Sequence, residues 1–398
     1  MKKLISVLLA IVMMLSSLSF VAFASDMDYN DGMIGNNGAE SEDVDVEGLE
    51  VNAKSAILME ANTGEILYSK NASDAMAPAS VTKIMTLLLV AEAIDDGRIK
   101  AEDNVTVSSN ATAMGGSQVF LKEGEVFTVE ELLKCTVIAS ANDAAVALAE
   151  HIAGTEAHFV SMMNKRASEL GMKDTSFENT TGLDDTTEKH LTSALDIAIM
   201  SRELIKHDII MKYSGVWQDS IRDGEFILTN TNRLVRYYSG CTGLKTGSTD
   251  KAGFCVSATA KRDGMHLIAV IMGAETRDER NNAARALLDY GFSAYSLYSD
   301  PESVVGRVEV RHGMLDDVSV YKKEFTTLVK KSDSSLVERK IVLPEYIDGA
   351  HSSGEVIGEA IYLINGEEIG RAEVILLDTI ETLTLIKLFT RVLIGALT

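Results

Sequence analysis

The sequence predicts an α+β fold: helices packed on a mostly antiparallel sheet, then a small all-β domain and a C-terminal amphipathic helix. Three observations predict it. A β-hairpin pattern is followed by a long run of helical patterns and then by strands again, the element order of an α+β domain. After Pro301 the pattern becomes short β-prone runs only. The last 20 residues return to helical periodicity with a wide apolar face.

The hairpin is Ser55-Ala56-Ile57-Leu58-Met59 and Glu65-Ile66-Leu67-Tyr68 around the turn Asn62-Thr63-Gly64. Val81 to Ile94 is apolar nearly all round, so it reads as a helix buried in the core. Thr128–Ile138, Ala141–Ile152, Glu156–Leu170 and Thr192–Ile205 read as further helices. Thr128 and Glu131 have capping-box spacing, and Gly154 and Gly171 are suitable stops. Phe254–Val256 and Leu267–Ile271 read as strands, with Gly247–Asp250 as a turn, and Asn281–Leu297 as helix. Beyond Pro301 the runs are Val308–Val310, Val318–Val320, Ile341–Leu343, Ala360–Leu363 and Ala372–Ile375, with Asn365-Gly366 as a hairpin turn.

Composition narrows the class. The chain has 398 residues, 46% hydrophobic and 24% charged, which is globular rather than disordered. A formal net charge of −22 argues against nucleic acid as the main partner. Cys135, Cys241 and Cys255 are too few for a disulfide scaffold and read as small buried hydrophobes.

The expected division is a signal peptide over 1–24, an acidic disordered leader over 25–50, a catalytic domain over 51–299, a small all-β domain over 300–377, and a membrane-associating helix over 378–398. Lys2 and Lys3 precede an apolar stretch that ends in Ala22-Phe23-Ala24, the layout of a cleaved export signal. Its removal takes away two lysines and no acid, so the formal charge goes from −22 to −24. The leader carries nine acids and no Lys or Arg. In the terminal segment Glu381, Thr384, Lys387 and Arg391 form one polar stripe, which fits a helix lying on a membrane surface rather than crossing it.

Three short motifs carry the chemistry. In Ser80-Val81-Thr82-Lys83 the serine and lysine share one helical face, and a desolvated neutral lysine can take the proton of a serine hydroxyl. Ser140-Ala141-Asn142 lies between two expected helices and offers a hydroxyl and a carboxamide. Lys245-Thr246-Gly247, followed by Ser248, lies on an expected strand edge, where backbone groups suit an extended peptide and the lysine suits an anionic terminus. Each alone reads as capping or turn chemistry. Together, 60 and 105 residues apart, they are specific. No H-E-x-x-H, G-x-S-x-G or Walker loop is present.

With these motifs the sequence resembles the low-molecular-mass penicillin-binding proteins of the D-alanyl-D-alanine carboxypeptidase type. The wider matches are Pro78–Thr86, Ser140–Ala145, Phe177–Leu183 and Thr242–Thr249, and the resemblance is strong over 51–297. It implies a penicillin-binding, β-lactamase-like domain. It implies that Ser80 is the nucleophile, Lys83 the general base and Ser140 a proton relay. Asn142, Lys245, Thr246, Gly247 and Ser248 would bind substrate, with the Ser80 and Ser248 N–H groups as oxyanion hole. The substrate would be a peptidoglycan stem pentapeptide losing its terminal D-alanine, β-lactams would acylate Ser80, and no metal or cofactor is required. The place of work would be the outer face of the cytoplasmic membrane, or the periplasm of a cell with two membranes.

Ser248 stands where relatives often carry His, and Cys241 has no assigned role. Asn179, Gly182 and His190 fit the family pattern, with His190 read as a scaffold residue. The alternatives are a DD-endopeptidase, a class A-like β-lactamase, which lacks its E-x-x-x-N element here, and a non-catalytic penicillin-binding sensor or wall scaffold. Oligomeric state is not legible in the sequence.

Overall fold

The computed structural model describes residues 43–185, 187–384 and 389. A five-stranded antiparallel sheet organises the first part. Its strands are β1 (Ser55–Glu60), β2 (Ile66–Lys70), β3 (Cys241–Thr249), β4 (Gly253–Arg262) and β5 (Met265–Ala274), in the order β2-β1-β5-β4-β3. Every residue of β1 is buried. Ile57 and Met59 face one core, and Ala56 and Leu58 face another on the opposite side. A strand covered on both faces loses its polar alternation, which explains the unbroken apolar run.

One face is covered by α1 (Lys83–Asp95), α2 (Val129–Ile138), α3 (Asn142–Ala153), α4 (Glu156–Glu169) and α5 (Ala194–Leu204). The other is covered by α6 (Arg277–Ala294), through Ala284, Leu287, Leu288 and Phe292. Helix α1 is the centre of the first core, as its all-round apolar pattern requires. Thr128 and Glu131 form the expected capping box, and Gly154 closes α3 at φ 77°.

Helix α6 differs from expectation at both ends. It starts at Arg277, because Thr276 and Glu279 form a second capping box. It stops at Ala294, because Tyr295 and Leu297 belong to a strand, β6 (Tyr295–Asp300). The expected turn at Gly247–Asp250 is also shifted, since β3 runs on to Thr249 in register with Gly253. Short hairpins at 104–106 with 126–128 and at 218–221 with 226–229 had no clear pattern in the sequence.

Strand β6 pairs antiparallel with β9 (Phe325–Lys330). The remaining strands are β7 (Ser303–Arg311), β8 (Asp317–Lys322), β10 (Val337–Val342), β11 (Tyr346–Asp348), β12 (Val356–Ile364) and β13 (Glu367–Leu376). They form one sheet in the order β10-β12-β13-β8-β7-β11 around its own core, with Tyr362 stacked on Phe325. Lys322 is fully buried beneath the connection to the first part. It donates to the carbonyls of Asp300 and Pro301 at 2.9 and 2.6 Å.

Order begins earlier than the sequence suggests. Residues 43–50 of the expected leader are held against β2: Val44 N donates to Ser69 Oγ, Ser69 N to Val44 O, and Asn71 N to Asp43 Oδ1. Val46 and Leu49 pack against the second core, which supplies the burial that composition alone does not reveal. The expected signal peptide and residues 25–42 lie outside the described residues. At the other end, the expected helix over 378–398 does not begin at 378. Ile380 and Thr382 form bridges with His351 and Gly313. Of 385–398 only Phe389 is described. Among the described residues no helix is long and apolar enough to cross a membrane.

Candidate active site

The three motifs meet at the free edge of β3. Ser80 lies on a 3-10 turn, Ala79–Thr82, that leads directly into α1. Lys83, the first residue of α1, points its amine at Ser80 Oγ, 2.9 Å away, and donates a second hydrogen bond to the Thr181 carbonyl at 2.8 Å. Lys83 is wholly buried, and burial together with the nearby Lys245 charge holds its pKa well below the ordinary lysine value. A lysine of this kind is an amine able to accept a hydroxyl proton.

Ser140 sits in the left-handed region at φ 61°, in the connection between α2 and α3, and Ala79 beside the serine is also left-handed at φ 49°. Non-glycine residues in this conformation cost energy and cluster where geometry matters. Lys245 donates to Ser140 Oγ at 2.7 Å and to the Thr246 carbonyl. Burial first, and Arg280 second, bring its pKa down to about 7.

Gly247 comes so close to the serine turn that a Cβ there would lie 2.8 Å from Ser80 N and 2.9 Å from Pro78 O. Strand β3 has a sheet partner on one side only, and the serine turn stands beside its other edge. Ser248 is exposed at the end of this approach. Asn142 opens α3. Its N–H donates to Ser117 O and its Nδ2 to Gly115 O, both at 2.7 Å, while its buried Oδ1 has no partner among the described residues. An unsatisfied buried carboxamide oxygen two residues from Ser140 is a place for a ligand donor.

Sequence reasoning missed several contributors. Thr231 Oγ1 accepts from Thr246 Oγ1 at 2.8 Å, and Asn232 Nδ2 donates to Gly243 O. Arg280, buried in the first turn of α6, shares its guanidinium only with Asn281 Oδ1 among the described hydrogen bonds. Its pKa falls to about 10 through burial and through Arg277. An arginine at a helix N-terminus opposes the helix dipole. That was the one signal of Arg280 in the sequence. Cys241 is explained in the negative: burial pushes its thiol up to about 11, and Sγ lies against Gly243 O. All three cysteines are unpaired.

A hydroxyl against a buried amine of lowered pKa, beside an open strand edge backed by cations, defines a serine-type hydrolase with a lysine partner. Residues 40–276 match the model of the D-alanyl-D-alanine carboxypeptidase family, peptidase S11, and residues 292–382 match the C-terminal domain of penicillin-binding protein 5. The chain belongs to this D-alanyl-D-alanine carboxypeptidase family. It is 45% identical over 330 residues to D-alanyl-D-alanine carboxypeptidase DacF of Bacillus subtilis, covering 81% of this chain and 84% of that one. Penicillin-binding protein 5 of Haemophilus influenzae is a structural neighbour with TM-score 0.72 and 29% identity, covering 85% of this chain and all of that one. Ampicillin-bound penicillin-binding protein D2 of Listeria monocytogenes matches with TM-score 0.56 and 30% identity, over 61% of this chain and 99% of that one.

Proposed function

We propose that this serine-type D-Ala-D-Ala carboxypeptidase works through an acyl-enzyme on Ser80, with the roles divided as follows. Ser80 Oγ attacks the carbonyl carbon between the two terminal D-alanines of a stem peptide, and its proton passes to Lys83 Nζ. The oxyanion is met by the N–H groups of Ser80 and Ser248. The C–N bond then breaks, and the leaving amine takes the proton that Lys83 received, relayed through Ser140, which Lys245 orients. Water attacks the ester and gives one proton to Lys83; the ester C–O bond breaks, that proton returns to Ser80 Oγ, and the shortened peptide leaves with the water's oxygen. Asn142 holds the substrate backbone, Gly247 leaves room for it, and Lys245, Thr246 and Arg280 hold the terminal carboxylate. The single observation that carries this reading is Lys83 Nζ at 2.9 Å from Ser80 Oγ, in a buried setting that lowers the amine's pKa well below the ordinary lysine value.

Peptidoglycan lies outside the cytoplasm, so the reading includes export by the Lys2–Ala24 signal. It places the peptidase domain over 51–299 and the β domain over 300–377. Of the expected 378–398 helix, the part beyond Thr384 is the part this reading lays on the membrane surface.

The test uses the full mature chain, a peptide ending in D-Ala-D-Ala, and the Ser80→Ala variant. Release of D-alanine by the parent and none by the variant is the expected result. Penicillin labelling of the parent without D-alanine release would favour an endopeptidase or a sensor. Neither labelling nor release would overturn the assignment.

A further inference from the structure

His190 satisfies every hydrogen bond it can make, and in doing so it fixes its own chemistry. Its Nδ1 lies 2.9 Å from the Glu178 backbone nitrogen, and its Nε2 lies 2.7 Å from Thr82 Oγ1. A backbone N–H can only donate, so Nδ1 must be the acceptor. The ring is therefore neutral, with its hydrogen on Nε2, and that hydrogen goes to Thr82. Thr82 is the last residue of the nucleophile's turn and directly precedes Lys83.

The segment that His190 closes, 178–190, also carries the second acceptor of Lys83. Thr181 O takes Lys83 Nζ and Thr180 O takes Thr86 Oγ1 at 2.7 Å. Asn179 folds the segment from within. Its Oδ1 accepts from the N–H groups of Thr181 and Gly182, and its Nδ2 donates to Leu183 O. Gly182, at φ +82°, presses on Ala79 O and Thr82 Oγ1, where a Cβ has no room. Glu178 ties the two ends by accepting from Glu188 N and Lys189 N. The distance between Lys83 Nζ and Ser80 Oγ is thus set by how firmly this segment is held to the serine turn. Among the described residues, the side-chain bond from His190 to Thr82 joins the segment's far end to the turn itself.

We propose that His190 is a positioning residue for acylation: as the neutral Nε2–H tautomer it clamps the 178–190 segment to the serine turn through Thr82, holding Lys83 in line with Ser80. It touches neither substrate nor the reacting atoms. The clamp needs the ring unprotonated, because a second ring hydrogen would oppose the Glu178 N–H. Burial keeps it so, against the pull of Glu178 and Asp184 toward the charged form and with help from Lys251 across the site. The Phe177 ring packs edge-on against His190, with ring centroids 5.7 Å apart.

The proposal rests on Lys83 acting as base for Ser80, so the experiment reads penicillin acylation of the full mature chain directly. Three variants separate the clamp from mere packing. Thr82→Val keeps shape but removes the acceptor. His190→Asn keeps an acceptor for Glu178 N–H but has no donor at Thr82. His190→Gln keeps a donor near the Nε2 position. Thr82→Val and His190→Asn should each slow the acylation rate tenfold or more with little change in KM for the peptide. His190→Gln should stay within about threefold of the parent. Nitrogen chemical shifts of His190 should report the Nε2–H form throughout the active pH range. The proposal is overturned if Thr82→Val and His190→Asn acylate like the parent. It is equally overturned if the three rates simply follow the three melting temperatures, or if the shifts report Nδ1–H. A parent that penicillin does not label at all overturns the underlying reading of Ser80 and Lys83, and the clamp with it.

Discussion

Gly247 and Ser80 are in backbone contact: the Cβ that Gly247 lacks would fall 2.8 Å from Ser80 N, with Val81 N and Pro78 O at 2.9 Å. All three atoms are main chain, so none can swing aside as a side chain would. Gly247→Ala must push the strand edge off the serine turn. Overpacking of this kind costs about 1–3 kcal/mol in stability. The larger effect falls on chemistry, because the two proposed oxyanion donors, the N–H groups of Ser80 and Ser248, sit on the two elements being separated. Removing one such donor costs on the order of 10²–10³ in rate. Penicillin acylation by Gly247→Ala should fall about a hundredfold while the protein stays folded, and stopped-flow labelling measures it.

Lys245 gives a pH signature. Its folded pKa, about 7, lies below the ordinary 10.5, so between these values the unfolded chain binds more protons than the folded one. Its contribution therefore raises stability as pH rises from 7 to 10.5. Carboxylate binding runs the other way, since only the charged amine attracts the terminus. KM for a D-Ala-D-Ala peptide should rise as pH passes upward through about 7. Lys245→Gln, with no charge to lose, should abolish that rise.

Arg280 is tied to the same titration. Removing its charge relieves Lys245 of a neighbouring cation, so Arg280→Gln should move the KM inflection to higher pH. It also removes a buried charged donor, worth about 1.5–3 kcal/mol in a hydrogen bond to an ion. KM should increase tenfold or more with kcat much less affected. Steady-state kinetics across roughly pH 6 to 9, about one unit below and two above the parent's inflection so as to follow its upward move, reads both effects.

Two buried groups oppose each other in mild acid. His190 is brought from 6.5 down to about 4 by burial, so its contribution to stability is lost as pH falls through that interval. Asp196, packed near the start of α5, is raised from 3.8 to about 6, again by burial, so its contribution grows as pH falls through 6. Asp196→Asn should leave the His190 dependence unopposed. Its melting temperature should then drop more steeply between pH 6 and 4 than that of the parent.

Lys322 makes a prediction with no catalytic part. Its buried amine serves Asp300 O, Pro301 O and the Asp300 carboxylate, 3.5 Å away. Lys322→Met leaves those oxygens without their cation and should cost of the order of 3 kcal/mol. Penicillin acylation per folded molecule should not change. A denaturant titration alongside a labelling assay separates the two.

The chemistry was legible because its carriers are side chains in short motifs: Ser80 and Lys83 three apart, Ser140 and Asn142 two apart, Lys245 to Gly247 in a row. The supports were hidden because they are solitary or main-chain groups. Thr181 O, Gly115 O and Ser117 O carry no residue-type signal, and Arg280 is 35 residues from Lys245. The fold followed the same division. Helix α1 was plain from its all-round apolar pattern. The end of α6 was not, because Tyr295 and Leu297 suit a helix as well as a strand until β9 is there to pair with them. Residues 43–50 look unfoldable by composition and are ordered by a ladder to Ser69 that no local pattern announces.

The continuity of α6 into β6 has a mechanical consequence. The helix begins at Arg277, three residues before Arg280, and runs 18 residues without a break into a strand that β9 holds and Lys322 pins from below. At about 1.5 Å per residue that is a strut roughly 27 Å long. The C-terminal sheet is thereby coupled to the cation beside Lys245 by a stiff member rather than by a tether.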